Sequence, residues 1–352
     1  MRKKQVRRPT AVDLFCGCGG MTLGLTQAGF DVIGAVDIDP LSIETYKKNH
    51  EGVKVWEMDI RRLKATTVKS QLNLIRGQLD LLAACPPCQG FSTMRTLNSG
   101  TNVSDSRNSL VFTFLAYVRI LLPKAVMLEN VPGLGKDWRF TKLRTELKKL
   151  GYHCDFDILN AANYGVPQRR RRLIMIGVYG ADVELAKPLK SHKTVRTTIG
   201  KLPKPGAARD PLHKSEANRT ARITDLIRHI PKDGGSRGAL GTNKQLACHR
   251  RCDGFKDVYG RMAWQSVAPT ITSGCINPSK GRFLHPSANR AITLREAAML
   301  QSFPRKYKFS LARGKYATAA MIGNALPPQF VKMHAIKLRK ALSGSSFPSP
   351  TK

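Results

Sequence analysis

Hydrophobic and polar positions follow two rhythms along the first half of the chain. The almost wholly apolar runs "TAVDLF" (10–15), "DVIGAVDI" (31–38), "LDLLAAC" (79–85) and "AVMLEN" (125–130) are each followed within three residues by Gly or Pro. Short apolar runs bounded in this way predict strands buried on both faces. "KVWEMDI" (54–60) carries a further strand and its exit. Between the strands the spacing turns helical: "MTLGLTQAG" (21–29) ends in Gly29, Pro40 opens a helix to about His50, "RNSLVFTFLAYVRILL" (107–122) repeats with helical period, and another helix runs to Leu150. Strands that alternate with helices predict an α/β fold with a parallel sheet. "HCDFDILNA" and "RRLIMIGVYG" then read as paired strands around the loop "ANYGVPQRR".

The pattern changes near residue 185, and no strong period returns until about 290. From Lys187 to Arg222 there are ten Lys or Arg and two acids, with Pro and Gly scattered among them. "ITLREAAMLQSF" (292–303) and the stretch from about Gln329 to Leu342 are helical again, and the tail "SGSSFPSPTK" has the composition of a disordered end. The expected division is residues 1–186 for a catalytic and cofactor-binding domain and 187–312 for a second domain. Residues 313–342 would return to the first, and 343–352 would form the tail.

Charge adds a partner to this picture. The 59 Lys and Arg outnumber the 24 Asp and Glu, a formal net charge of +35. Such an excess suits a polyanion, with nucleic acid first among candidates. No apolar run reaches the roughly 18 residues needed to span a bilayer. The basic start "MRKKQVRRPT" is not followed by a signal-peptide core, so the expected location is a cytoplasm, or a nucleus if the source has one. The eight cysteines then argue against a disulfide framework. Zinc-like spacings occur at Cys16-x-Cys18, Cys85-x-x-Cys88 and Cys248-His249-x-x-Cys252. The first lies in a glycine loop and the second encloses two prolines, so no metal is expected.

The glycine loop "DLFCGCGG" (13–20) runs from strand to helix. Gly17, Gly19 and Gly20 permit a sharp turn and close approach to a ligand. Asp37 ends the second strand, where an acid can accept hydrogen bonds from both ribose hydroxyls. Asp59 ends the third, where it can take an exocyclic adenine amine. The dinucleotide pattern would need Gly at position 22, which is Thr, and no Gly-Lys-Ser/Thr of a phosphate loop follows. A nucleoside-bearing cofactor across strand tips is the remaining expectation.

Cys88 follows the fourth strand, Glu129 the fifth, and Arg170 and Arg172 lead into a later one. Strand carboxyl ends share one edge of such a sheet. A thiol, an acid and arginines at that edge suit covalent catalysis on an electron-poor ring.

In this order, "DLFCGCGG", "DID", "MDI", "PPCQGFS", "ENVPG", "YGVPQRRRR", "RAITLREAAMLQSFP" and "IGNALPP" resemble the motifs of the bacterial-type DNA (cytosine-5-)-methyltransferases over nearly the whole chain. The resemblance implies a Rossmann-like S-adenosylmethionine-dependent methyltransferase sheet with a smaller, irregular target-recognition domain. It implies S-adenosyl-L-methionine as methyl donor, held by Phe15, Cys16, Gly17, Cys18, Gly20, Asp37, Ile38, Asp59, Ile60, Pro87, Leu110, Asn324 and Ala325. Cys88 would be the nucleophile toward carbon 6 of cytosine, and Cys85 a bystander. Glu129 would contact ring nitrogen 3 and the exocyclic amine, Arg172 the cytosine oxygen 2, and Arg170 would position. Gln89, Ser92, Arg170 and Arg172 would face DNA. Three positions depart from the family: Asp37 stands where Glu is usual, Ile38 where an aromatic is frequent, and Met321 where Gln is frequent.

A base stacked in a duplex is out of reach of Cys88, so the target would have to flip out. The basic stretch, "GRMAWQSVAPTITSG" (260–274) and "SKGRFLHP" (279–286) resemble a segment that grips and reads duplex DNA. A monomer, acting separately from any cognate restriction endonuclease, is the expected form. Two other readings stay open: a transfer-RNA cytosine-5 methyltransferase on the same scaffold, and a catalytically silent nucleic-acid-binding module.

Overall fold

A computed structural model of the chain describes residues 7–87, 109–207, 209–214, 219–241 and 257–344. The strands are β1 (Thr10–Leu14), β2 (Asp31–Asp37), β3 (Lys54–Glu57), β4 (Leu81–Ala84), β5 (Ala125–Asn130), β6 (Tyr152–Asn160) and β7 (Arg171–Tyr179). They form one sheet in the order β3-β2-β1-β4-β5-β7-β6. Neighbours among β1 to β5 pair in parallel, as the strand–helix alternation predicts. Only β7 runs the other way, antiparallel to both β5 and β6.

That reversal brings the N-terminal end of β7 beside the C-terminal end of β5. In register, Glu129 faces Ile174 and Asn130 faces Leu173.

The helices of the first half are α1 (Gly20–Gln27), α2 (Pro40–Lys47), α3 (Ala65–Gln71), α4 (Leu110–Leu121) and α5 (Trp138–Lys149). Side chains alternate across a strand, and the alternation sorts the two faces. Val12, Leu14, Leu82, Ala84, Val126 and Leu128 join one core with Phe114, Val118 and Leu121 of α4 and Leu143 and Leu147 of α5. In α4 the buried positions Leu110, Val111, Phe114, Leu115, Tyr117, Val118 and Leu121 keep a three-to-four spacing, which is why this stretch coils as a helix. It stops at Leu122, whose left-handed φ of 44° precedes Pro123. The positions between these strand residues, Asp13, Ala83 and Glu129 among them, point to the face where Thr22 of α1 meets Asp13.

Two compact units emerge, each continuous in space but not in sequence. The first holds Met1–Tyr164, Arg171–Pro188 and Leu326–Lys352; the second holds Gly165–Arg170 and Leu189–Ala325. The second contains α6 (Val195–Ile199), α7 (Ala221–His229), α8 (Leu294–Leu300) and α9 (Gly314–Asn324). The segment 313–342 therefore divides: α9 stays with the second unit, while α10 (Pro328–Gly344) packs on α1 and β7 of the first.

The second unit is knit by buried polar side chains more than by regular structure. Arg261 is fully buried. Its guanidinium donates to the carbonyls of Ile227, Ile230, His285 and Ala288 and to Asn289 Oδ1. Five donors in one rigid plane can close loops that no helix or strand organises.

Candidate active site

Three residues meet at the carboxyl edge of the first unit's sheet. Glu129 is the penultimate residue of β5 and only 3% exposed. Arg172 Nε lies 3.0 Å from Glu129 Oε1, because antiparallel β7 starts where β5 ends. Cys85 follows β4, whose parallel register pairs Ala84 with Leu128 and so sets residue 85 level with Glu129. Its Sγ donates to Glu129 Oε2 at 2.7 Å. Cys85, expected as the bystander to Cys88, thus has a contact of its own with one oxygen of the acid. Burial and the adjacent Glu129 carboxylate push the Cys85 thiol well above the ordinary range, which keeps it a neutral donor.

Asn130 completes the frame, and the sequence did not single it out. It is 2% exposed, donates from Nδ2 to the Pro86 carbonyl at 3.0 Å and accepts from the Val131 amide at Oδ1. Its place in "ENVPG" was the available signal. The strand tip after β4 is thus tied to the strand tip after β5. Cys88, Gln89 and Ser92 lie outside the described residues. Pro87, the last described residue before them, is exposed.

The glycine loop turns as its sequence requires. Gly17 and Gly19 have φ of 51° and 93°, and Phe15 also adopts a positive φ of 65°. A side chain on Gly17 would meet nothing within 4 Å, so the loop opens onto free space there. Asp37 braces it: Oδ2 accepts from the Gly17 amide at 2.8 Å and Oδ1 from the Asp39 amide at 2.9 Å. Burial pushes the Asp37 carboxyl up while these amides oppose the shift. Ile38, next along, is 63% exposed. A large apolar side chain left bare beside such an acid is what a flat ring would cover. Asp59 is held below the usual carboxylate range by hydrogen bonds from the Arg61 side chain and amide. Cys16, Cys18, Gly20, Ile60 and Leu110 are buried. The donor set and the open glycine loop fit a nucleoside-bearing cofactor.

The remaining predicted site residues belong to the second unit. Arg170 is 4% exposed and gives Nη1 to the carbonyls of Ile271 and Gly323 at 3.0 and 3.1 Å. Gln168 is fully buried, donating to the Leu300 carbonyl and Gln301 Oε1 and accepting from the Ile271 amide. Asn324 is exposed at the end of α9 and Ala325 follows it. Gly323 has no room for a side chain, whose Cβ would sit 2.2 Å from the carbonyl carbon of Thr272.

The fold and the site define a class, the α/β methyl-transfer enzymes built on a mostly parallel sheet with an acid and a cysteine motif at its carboxyl edge. Within that class, the family model described as C-5 cytosine-specific DNA methylase matches residues 10–340. The chain belongs to this family, whose reaction is methyl transfer to carbon 5 of cytosine in DNA. It is 32% identical to the Type II methylase M.HgiDII of Herpetosiphon aurantiacus over 95% of this chain and 96% of that one. It is also 32% identical to the Type II methyltransferase M1.HphI of Haemophilus parahaemolyticus, over 91% and 83%. A solved structure of a candidate DNA modification methyltransferase encoded within a prophage of E. coli superposes with a TM-score of 0.71 at 26% identity, covering 95% of this chain and 99% of that one.

Proposed function

We propose that the enzyme methylates carbon 5 of a cytosine flipped out of a specific duplex DNA sequence, through a transient bond between Cys88 and carbon 6. The observation that carries this reading is the Cys85–Glu129–Arg172 contact at the strand edge. It holds an acid, and a cation beside it, next to the loop that leads to Cys88.

S-adenosyl-L-methionine, bound at the glycine loop, Asp37, Ile38 and Asp59, supplies an electrophilic methyl group. The chain's residues prepare the ring to receive it. Cys88, as thiolate, adds to carbon 6 and breaks the ring's 5,6 double bond. The displaced electron pair runs toward ring nitrogen 3 and oxygen 2. Glu129 meets nitrogen 3 and the exocyclic amine and delivers or shares a proton there. Arg172 steadies the charge on oxygen 2 and keeps Glu129 oriented. Arg170, anchored on carbonyls of the second unit, positions the loop rather than touching the base. Once carbon 5 is methylated, removal of its proton restores the double bond and expels Cys88.

Grip on the duplex falls to the second unit. Lys190, Lys193, Arg196, Lys201, Lys204, Arg209, Lys214 and Arg222 are all exposed there, next to few acids. Such a surface neutralises phosphates. Gln89, Ser92 and Arg172 would face the flipped nucleotide. The Type II relatives favour a modification enzyme that works beside a restriction endonuclease and separately from it. No helix among the described residues is long and apolar enough to cross a membrane, and the substrate places the enzyme with the cell's DNA.

A methyl-transfer assay on unmethylated duplex DNA and on transfer RNA tests this reading. Methylated cytosine should form in the duplex alone. Incorporation into transfer RNA alone would move the substrate, and none into either would leave a binding module.

A further inference from the structure

We propose that Cys85 is a positioning residue for the methyl transfer, its thiol donating into Glu129 so that the carboxyl group is held from two sides. This rests on the reading of Glu129 as the acid at the cytosine edge. The geometry is specific. Oε1 faces Arg172 Nε at 3.0 Å, and Oε2 takes the Cys85 Sγ at 2.7 Å. With both oxygens pinned, the carboxyl group cannot rotate about its terminal bond. A side chain with two free oxygens would sample many orientations toward a flipped base, and fixing it removes that entropy before substrate arrives.

Among the described residues, the groups that face this pair are few. From β7 comes Arg172, from β5 Glu129 itself, and from β1 the buried Asp13, whose charge bears on Cys85. Asp13 is also neighboured by Thr22 and, through charge, by Asp37 and Cys16. Of these, only Arg172 and Cys85 touch the Glu129 carboxyl group. Each holds one of its two oxygens. Cys85 is thus the one neutral donor among the described residues on that acid. A short side chain with a donor at its tip is what the position requires, so Ser can replace Cys and Ala cannot.

The experiment compares the full chain with Cys85→Ala, Cys85→Ser and Glu129→Gln. Activity is read as kcat and KM for methyl transfer to unmethylated genomic duplex DNA. In Cys85→Ala kcat should fall roughly tenfold, the order expected for removal of a hydrogen bond to a charged group. KM for DNA should stay, because the acid is left unoriented rather than removed. Cys85→Ser should restore kcat. A loss of activity that only tracks loss of folded protein, or a Ser variant that behaves as Ala does, overturns the proposal. Infrared difference spectra of the S–H stretch give a readout free of activity. The band that disappears in Cys85→Ala should be shifted to low frequency in the wild type and should move in Glu129→Gln; an unshifted band overturns the proposal. Wild-type methyl transfer by Glu129→Gln would instead remove the reading of Glu129, and the infrared shift tells that failure from a failure of the thiol–carboxyl hydrogen bond.

Discussion

Asp13 is fully buried at the centre of β1, and its two oxygens differ. Oδ2 accepts from Thr22 Oγ1 at 2.7 Å, while Oδ1 has no hydrogen-bond partner among the described residues. Burial pushes its carboxyl group up to about 7. The folded-state value lies above the unfolded one, so the folded chain binds more protons between about 4 and 7. Its stability contribution is complete below the unfolded value and is lost as pH rises through about 7. Denaturant unfolding at a series of pH values should therefore show stability falling across this window, by an amount on the order of a few kcal/mol. Asp13→Asn should flatten that slope, and an equally steep slope in the variant would move the titration to another group. Asp37 carries a second prediction at this scale. Asp37→Ala removes the acceptor for the Gly17 and Asp39 amides and for the ribose. Calorimetry should find S-adenosylmethionine binding weakened at least tenfold, about the worth of one or two hydrogen bonds to a charged group. Sequence showed Glu129, Asp37 and Arg172 because each ends or begins an apolar run. It did not show the Cys85–Glu129 contact, because that pairing depends on strand register between residues 44 apart.

Among elements, α1 and α10 set the tightest tolerance. A Cβ on Gly24 would sit 2.5 Å from Val331 Cβ and 2.6 Å from the Pro328 carbonyl oxygen. One of the two helices would have to move, at a cost of about 1–3 kcal/mol for overpacking. Gly24→Ala should thus lower the thermal midpoint by several degrees. A Gly17→Ala control faces open space and meets only the left-handed strain of its φ of 51°, so it should cost less. Equal midpoints would mean that the helices do not meet this closely. The buried strands were legible because β1, β4 and β5 read as apolar runs closed by Gly or Pro. Helix α3, "ATTVKSQ", was not, since only Ala65 and Val68 are buried and no apolar stripe forms. Helices α6 and α7 are five and nine residues long, the first inside the basic stretch and the second starting at its end, too short to impose a period. Helix α9, "GKYATAAMIGN", is rich in small residues, and its burial comes from close packing rather than from large apolar side chains.

For the whole molecule, charge and architecture divide the labour. On the proposed reading the sheet of the first unit supplies the chemical edge, and the exposed Lys and Arg of the second supply affinity for a polyanion. DNA affinity should fall steeply with salt. Replacing Lys190, Lys193, Lys201 and Lys204 with Gln should flatten the slope of log affinity against log salt by roughly 0.9 for each phosphate no longer neutralised. An unchanged slope from fluorescence anisotropy would place the duplex on other residues. Composition pointed to this surface, but periodicity could not describe the unit behind it. Its organisation rests on Arg261, Gln168 and Arg295, buried side chains that join backbone carbonyls or carboxylates far apart in sequence. Such links leave no repeat to read.

The central claim is a covalent bond from Cys88 to the target cytosine, and it can be trapped. Fluorine at carbon 5 cannot leave as a proton does, so expulsion of Cys88 is blocked after methyl transfer. Duplex DNA copied with 5-fluorodeoxycytidine in place of deoxycytidine carries the block at every site, whatever sequence is recognised. With S-adenosylmethionine present, denaturing electrophoresis should show a protein–DNA adduct for the wild type and for Cys85→Ser, and none for Cys88→Ala. An adduct that survives in Cys88→Ala and disappears in Cys85→Ser would contradict the account.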